Sequence, residues 1–122
     1  MKAGNKTVGS RLRIVLAPDV AIGPGKADLL QGIKETGSIS AAGRCIDMSY
    51  KRAWYLVEAM NGHFGQPLVE ATKGGRTGGG AKLTPLGEDV LAGYREMQVL
   101  SEQAIAPVLR RLRRKIATDV AK

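Results

Sequence analysis

The sequence lacks the residues that would make a secreted scaffold, a zinc finger or a membrane anchor. One cysteine in 122 residues cannot close an internal disulfide, and one cysteine with one histidine cannot supply a four-ligand zinc site without carboxylates. Aromatics make up 4% of the chain, which leaves no stacking platform of the kind that sequence-specific RNA modules display. No apolar run approaches the roughly 20 residues that cross a bilayer, and the candidate nearest the start, Ile14 to Ala17, is cut by Pro18. The segment from Met1 to Arg13 is basic but has neither the apolar stretch nor the small-residue cleavage site of a secretory signal. A cytoplasmic chain without membrane contact is expected.

Acidic residues are also scarce, 11 against 19 Lys and Arg, so the formal charge is +8. That balance favours a polyanionic partner, nucleic acid first and acidic lipid second. With 43% hydrophobic residues the chain can still bury a core, and its length suits one modest domain plus an appendage.

The periodicity predicts a mainly α fold with a small β-hairpin. Arg11 to Ala17 reads as a short strand, and Pro18, Gly23, Pro24 and Gly25 mark a loop. Leu29, Leu30 and Ile33 repeat at helical spacing within Lys26 to Thr36, and Gly37 sits where a C-terminal cap belongs. Ser38 or Ser40 opens a short second helix, in which Ala41, Ala42 and Cys45 are small enough for close packing. Ser49 caps a third helix, with Ala53, Leu56, Val57 and Met60 as its buried stripe and Asn61-Gly62 as its end. Two helices joined by a tight turn are a helix-turn-helix candidate. Leu68 to Thr72 and Ala81 to Leu83 then read as two strands around Lys73-Gly74-Gly75-Arg76-Thr77-Gly78-Gly79-Gly80, a basic hairpin or wing.

Thr84 and Pro85 open a long fourth helix. Leu86, Val90, Tyr94, Met97, Leu100 and Ala104 form its apolar stripe, continued by Val108, Leu112 and Ile116, and Pro107 is expected to kink or break it. A stripe this long, outside a three-helix core, is expected to bury itself on a second copy of the chain. The division is therefore residues 1–83, a DNA-binding unit, and 84–122, a dimerisation helix with a basic tail. Arg110, Arg111, Arg113, Arg114 and Lys115 make that tail a solvated segment or a nonspecific DNA contact.

The third helix carries the candidate readout. Lys51 and Tyr55 lie nearly opposite its buried stripe, Tyr50 and Trp54 flank one side, and Arg52 flanks the other. Such a face suits a major groove, although Trp54 also suits the core. Lys73, Arg76 and Lys82 would grip phosphates or the minor groove from the wing, the competing reading being a flexible linker. A phosphate-binding loop is excluded, because no Gly-Lys-Ser/Thr follows the glycines. Cys45 reads as a packed hydrophobe and His63 as a polar helix-end residue. Neither a nucleophile with a base nor a metal-ligand set is recognisable, so no catalytic residue, metal or cofactor is assigned.

Taken together, Gly37-Ser38-Ile39-Ser40-Ala41-Ala42, Ser49-Tyr50-Lys51-Arg52-Ala53-Trp54, Met60-Asn61, the glycine-rich segment and Leu83-Thr84-Pro85-Leu86-Gly87 resemble the N-terminal DNA-binding domain of the ModE family of molybdate-responsive regulators. The pattern also resembles the LysR-type winged helix. The resemblance implies a bacterial transcription factor, a winged helix-turn-helix homodimer reading a palindromic operator in duplex DNA. It places Ser49, Tyr50, Lys51, Arg52, Trp54 and Tyr55 on the recognition helix and Lys73, Arg76 and Lys82 on the wing; beside it, Ser38, Ser40 and their helix N-terminus are expected to hold phosphate. ModE regulators continue into small β-barrels that bind molybdate. No strand-rich segment is present to build them, so a standalone DNA-binding form that does not bind molybdate is expected. The competing readings are an RNA-binding or ribosome-associated basic protein and an oxyanion-responsive sensor.

Overall fold

The computed structural model describes residues 11–72 and 80–116. The chain begins with an antiparallel pair, β1 (Ile14–Ala17) and β2 (Val20–Ile22), with Ile14 opposite Ile22. The sequence suggested one strand followed by a loop. Asp19, at a φ of 64°, instead reverses the chain after Pro18, and Val20 to Ile22 return along β1. Helix α1 (Pro24–Thr36) then starts two residues earlier than its apolar spacing suggests. Pro24 stands in its first turn, where a missing N–H leaves no hydrogen bond unmade. Gly37 ends it in the left-handed region, φ 72°, donating its N–H to Ile33 O at 2.8 Å.

Helices α2 (Ile39–Cys45) and α3 (Tyr50–His63) form the expected helix-turn-helix. Ala42 of α2 packs directly on Gly32 of α1. Cys45, the last residue of α2, is exposed rather than packed, because Ala42 and Gly43 take the buried side. Helix α3 runs past Asn61-Gly62 to His63. The Asn61 side chain does not stop the helix; it reaches across to the next strand, and Gly65, at φ 69°, turns the chain two residues after the helix ends.

Strands β3 (Val69–Thr72) and β4 (Gly80–Leu83) pair antiparallel, Val69 opposite Leu83 and Thr72 opposite Gly80. Residues between them, including Lys73 and Arg76, lie outside the described residues. The hairpin is tied to the helices at both strands. Asn61 Oδ1 accepts from Leu68 N at 2.8 Å and Val69 N at 3.2 Å, and Ala81 N donates to Gly37 O at 2.8 Å.

Helix α4 (Pro85–Arg113) is continuous through Pro107, so the expected break does not occur. The carbonyl that Pro107 leaves without a donor belongs to Gln103, which is exposed and open to water. Its first turns complete the core: Leu91 and Tyr94 are buried among Leu29, Leu30, Ile33, Leu56, Met60 and Leu68. The Tyr94 hydroxyl donates to Leu12 O at 2.6 Å, and burial raises its pKa above the ordinary phenol value.

Gly87 is required by close approach. A Cβ there would collide with the backbone carbonyl of Leu68, which is held by the capping threonine and cannot move aside. Gly93, on the same helix, has open space around its Cβ direction. Gly87→Ala should therefore lower stability by about 1–3 kcal/mol. Gly93→Ala should be neutral or stabilising by up to about 1 kcal/mol, as Ala favours helix. Urea unfolding of both variants checks the difference, and equal midpoints would contradict it.

Candidate nucleic-acid interface

Helix α3 has two chemically distinct sides. Ala53, Leu56, Val57 and Met60 are buried against the core. Tyr50, Lys51, Arg52 and Tyr55 are exposed, the two tyrosines at 58% and 62%. Two large rings left in water beside two cations are more than a solvated helix face needs, since the informative surface feature is an exposed apolar group in company. The rings are also ordered by their neighbours. Arg52 places its guanidinium 5.7 Å from the Tyr55 ring centre, and Tyr50 meets Trp54 edge to face at 6.3 Å. Trp54 itself is half-buried and packs against the core, so it serves the fold with one side and the surface with the other.

The caps settle a choice that the sequence leaves open. Ser38 Oγ accepts from Ala41 N at 3.0 Å and is the N-cap of α2. Ser40 lies inside that helix, where its hydroxyl accepts from Arg44 at 2.8 Å. Ser49 Oγ accepts from Arg52 N at 3.1 Å and opens α3. Both caps replace a hydrogen bond that a helix start leaves unmade.

Tertiary structure then brings separate elements together. Ser38, Ser40, Tyr50 and Trp54 share a cleft of about 260 Å³ with Ala71 and Ala81 of the hairpin. The start of α2, the start of α3 and the hairpin thus frame one concave surface. Lys82 is exposed on β4, but its ammonium lies 4.0 Å from Glu70 across the strand pair. A pair this exposed contributes little and gives way easily to another anion.

Two cations that the sequence reading did not single out lie near the same end of α3. The Lys26 amine donates to Ala21 O at 2.7 Å, and its pKa is lowered by burial first, then by Arg13 and Arg52. Arg13 and Lys26 come from different elements, and only the unforeseen β1–β2 reversal sets them side by side.

The dimer stripe divides. Tyr94 is 1% exposed and belongs to this chain's own core, and Leu86 and Val90 are partly buried against it. Helical spacing alone cannot tell an intramolecular partner from a second copy. Met97, Leu100 and Ala104 lie beyond that packing; Leu100 and Ala104 are exposed, and Val99, Ile105, Val108, Leu112 and Ile116 continue an exposed apolar run. Among the described residues no group of three or more His, Cys, Asp or Glu could hold a metal ion, and no helix is long and apolar enough to cross a membrane.

Removing either cap should cost about 1 kcal/mol, so Ser38→Ala and Ser49→Ala should both unfold at lower urea concentration. Ser40→Ala loses only an exposed side-chain bond and should stay within about 0.5 kcal/mol of the parent. A larger loss at Ser40 than at Ser38 would reverse the capping assignment.

The protein-family model described as bacterial regulatory helix-turn-helix protein, lysR family, matches residues 27–88, from α1 to the first turn of α4. Over 73 residues the chain is 51% identical to the molybdenum-pterin-binding protein MopB of Rhodobacter capsulatus, covering 60% of this chain and 27% of that protein. Over 93 residues it is 39% identical to the transcriptional regulator ModE of Haemophilus influenzae, covering 76% and 36%. The chain thus spans about a third or less of the length of these relatives. Among solved structures, the CbnR DBD–DNA complex superposes with a TM-score of 0.55 at 20% identity, covering 69% of this chain and 91% of that one. That likeness shows the fold. The family match, spanning just over half the chain and centred on the helix-turn-helix, shows that the protein belongs to the lysR-type bacterial regulatory helix-turn-helix family.

Proposed function

We propose that the protein is a transcriptional regulator that binds duplex DNA sequence-specifically as a homodimer. The observation that carries the reading is the exposed set Tyr50, Lys51, Arg52 and Tyr55 at the start of α3, on the side opposite its buried stripe. A helix anchored by one face and carrying donors on the other at its N-terminal end has the form that enters a major groove. Lys51 and Arg52 suit guanine edges or phosphate, and Tyr50 and Tyr55 suit the backbone or a thymine methyl. The hairpin beside the cleft, with Lys82 on β4, would follow the flanking backbone or minor groove, and Lys73 and Arg76 in the segment beyond belong to the same proposal.

The dimer reading rests on α4. Its 29 residues span about 43 Å by the α-helical rise, more than a small domain needs. The apolar face that packs on the core as far as Tyr94 continues outward through Leu100, Ile105, Val108 and Leu112, which are exposed among the described residues. Covering it with the same face of a second copy would place two α3 helices on one duplex and match a palindromic site.

Anisotropy titration against genomic duplexes, with structured RNA at the same salt, tests the partner. The preferred duplex should bind more tightly than RNA, and Lys51→Ala or Arg52→Ala should lose about 1–3 kcal/mol of discrimination between preferred and random duplex. Retained preference in both variants would remove the proposed readout. For the dimer, light scattering should give twice the chain mass, and Leu100→Glu should weaken self-association and duplex binding together. A monomeric mass for the unmodified chain would contradict the assembly.

A further inference from the structure

Charge is sorted across the described surface. Lys34 pairs with Glu88 at 2.9 Å, Arg95 with Asp28 at 3.1 Å, and Lys82 with Glu70 at 4.0 Å. Arg13, Lys26 and Arg52 have no such partner among the described residues, and they come from three elements: the chain entering β1, the first turn of α1, and the first turn of α3.

Arg13 and Lys26 meet at the start of one helix, and Arg52 stands near enough to act on Lys26. The Arg13 stem lies over the N-cap of α1, where a Cβ on Gly23 would sit 3.7 Å from Arg13 Cγ. Lys26 is three residues further on, its amine held to Ala21 O at 2.7 Å on the strand paired with β1. Burial first, then the charges of Arg13 and of Arg52 on α3, hold the Lys26 pKa down. The α1 N-terminus beneath them has no side-chain cap and no acidic residue in its first turn. Three like charges gathered without a paired carboxylate among the described residues are unfavourable in the isolated molecule. An external anion adds an attraction to each of the cations that offsets their mutual repulsion.

We propose that Arg13 and Lys26, beside Arg52 at the start of α3, form a backbone clamp that takes the phosphates of the same duplex whose major groove receives α3. The inference rests on the duplex-binding reading given above and extends it to the N-terminal hairpin and α1. Arg52 makes the site continuous with the recognition helix, so the occupant is a phosphate run flanking the bases that α3 reads. Such contacts position the protein and do not discriminate sequence.

The test is the salt dependence of duplex binding for the parent chain, Arg13→Gln, Lys26→Gln, the double variant and Arg13→Lys. Each lost phosphate contact lowers the slope of log K against log salt by about 0.9. The double variant should lose about two contacts, weaken preferred and random duplexes by the same factor, and leave the preference between them unchanged. Arg13→Lys keeps the charge and should restore most of the slope. Arg13→Gln should melt no lower than the parent, because it removes a repulsion, which separates lost binding from lost folding. If the parent binds duplex and the double variant keeps its slope, the clamp alone is overturned; absence of duplex binding in the parent overturns both readings. Inorganic phosphate at matched ionic strength should leave the parent's melting temperature unchanged. A rise abolished in the double variant would make this a free-oxyanion site and overturn the duplex assignment.

Discussion

The carbonyl of Leu68 is the point on which the arrangement of the surface depends. It accepts from Thr84 N at 2.9 Å, lies within 3.3 Å of the Thr84 hydroxyl, and admits α4 so closely that only glycine fits at position 87. Thr84 in turn caps α4 through Gly87 N at 3.0 Å. On the other side of the same residue, Asn61 holds Leu68 N and Val69 N from the last turn of α3. One short segment thus fixes the end of the recognition helix, the base of the hairpin and the start of the long helix. Each bond is partly or fully shielded from water, where an unmet polar group costs about 1–3 kcal/mol. The angle between hairpin and α3, which shapes the cleft at Tyr50 and Trp54, follows from that junction and from the Ala81–Gly37 bond at the opposite strand.

Much of this was legible because local rules and tertiary demands agree. Ser49 followed by Ala53, Leu56, Val57 and Met60 states both where α3 starts and which side it buries, leaving Tyr50, Lys51, Arg52 and Tyr55 to the surface. The turn of Thr84 and Pro85 does the same for α4. Where one rule was asked to do more, it failed. Helical periodicity marked Tyr94 as apolar-facing but could not say that the partner was Leu12 and this chain's own core. The three-residue strand β2 is too short for alternation to show, so the reversal at Asp19 was missed, and with it the approach of Arg13 to Lys26. The uncapped start of α1 carried no Ser, Thr, Asp or Asn to announce it. Pro107 lacks a hydrogen bond in α4, yet water can meet the freed carbonyl on an exposed helix, so a local penalty did not become a break.

The +8 charge has a spatial structure that composition cannot express. Lys34, Lys82 and Arg95 are matched to carboxylates on neighbouring elements, while cations with no carboxylate partner among the described residues gather where α1 and α3 begin. The arginines in the last turn of α4 stand at its negative dipole end, where positive charge favours the helix itself. Their position therefore needs no nucleic acid to explain it, in contrast to the face of α3.

The central claim is that duplex DNA is received by the start of α3 and the surface around it. Amide chemical-shift mapping of the isotope-labelled chain titrated with its preferred duplex tests that claim most directly. The account predicts the largest shifts at residues 49–55, in the first turn of α1 and along β3 and β4, with α4 beyond Tyr94 little changed. Shifts concentrated on α4 and sparing residues 49–55 would contradict it.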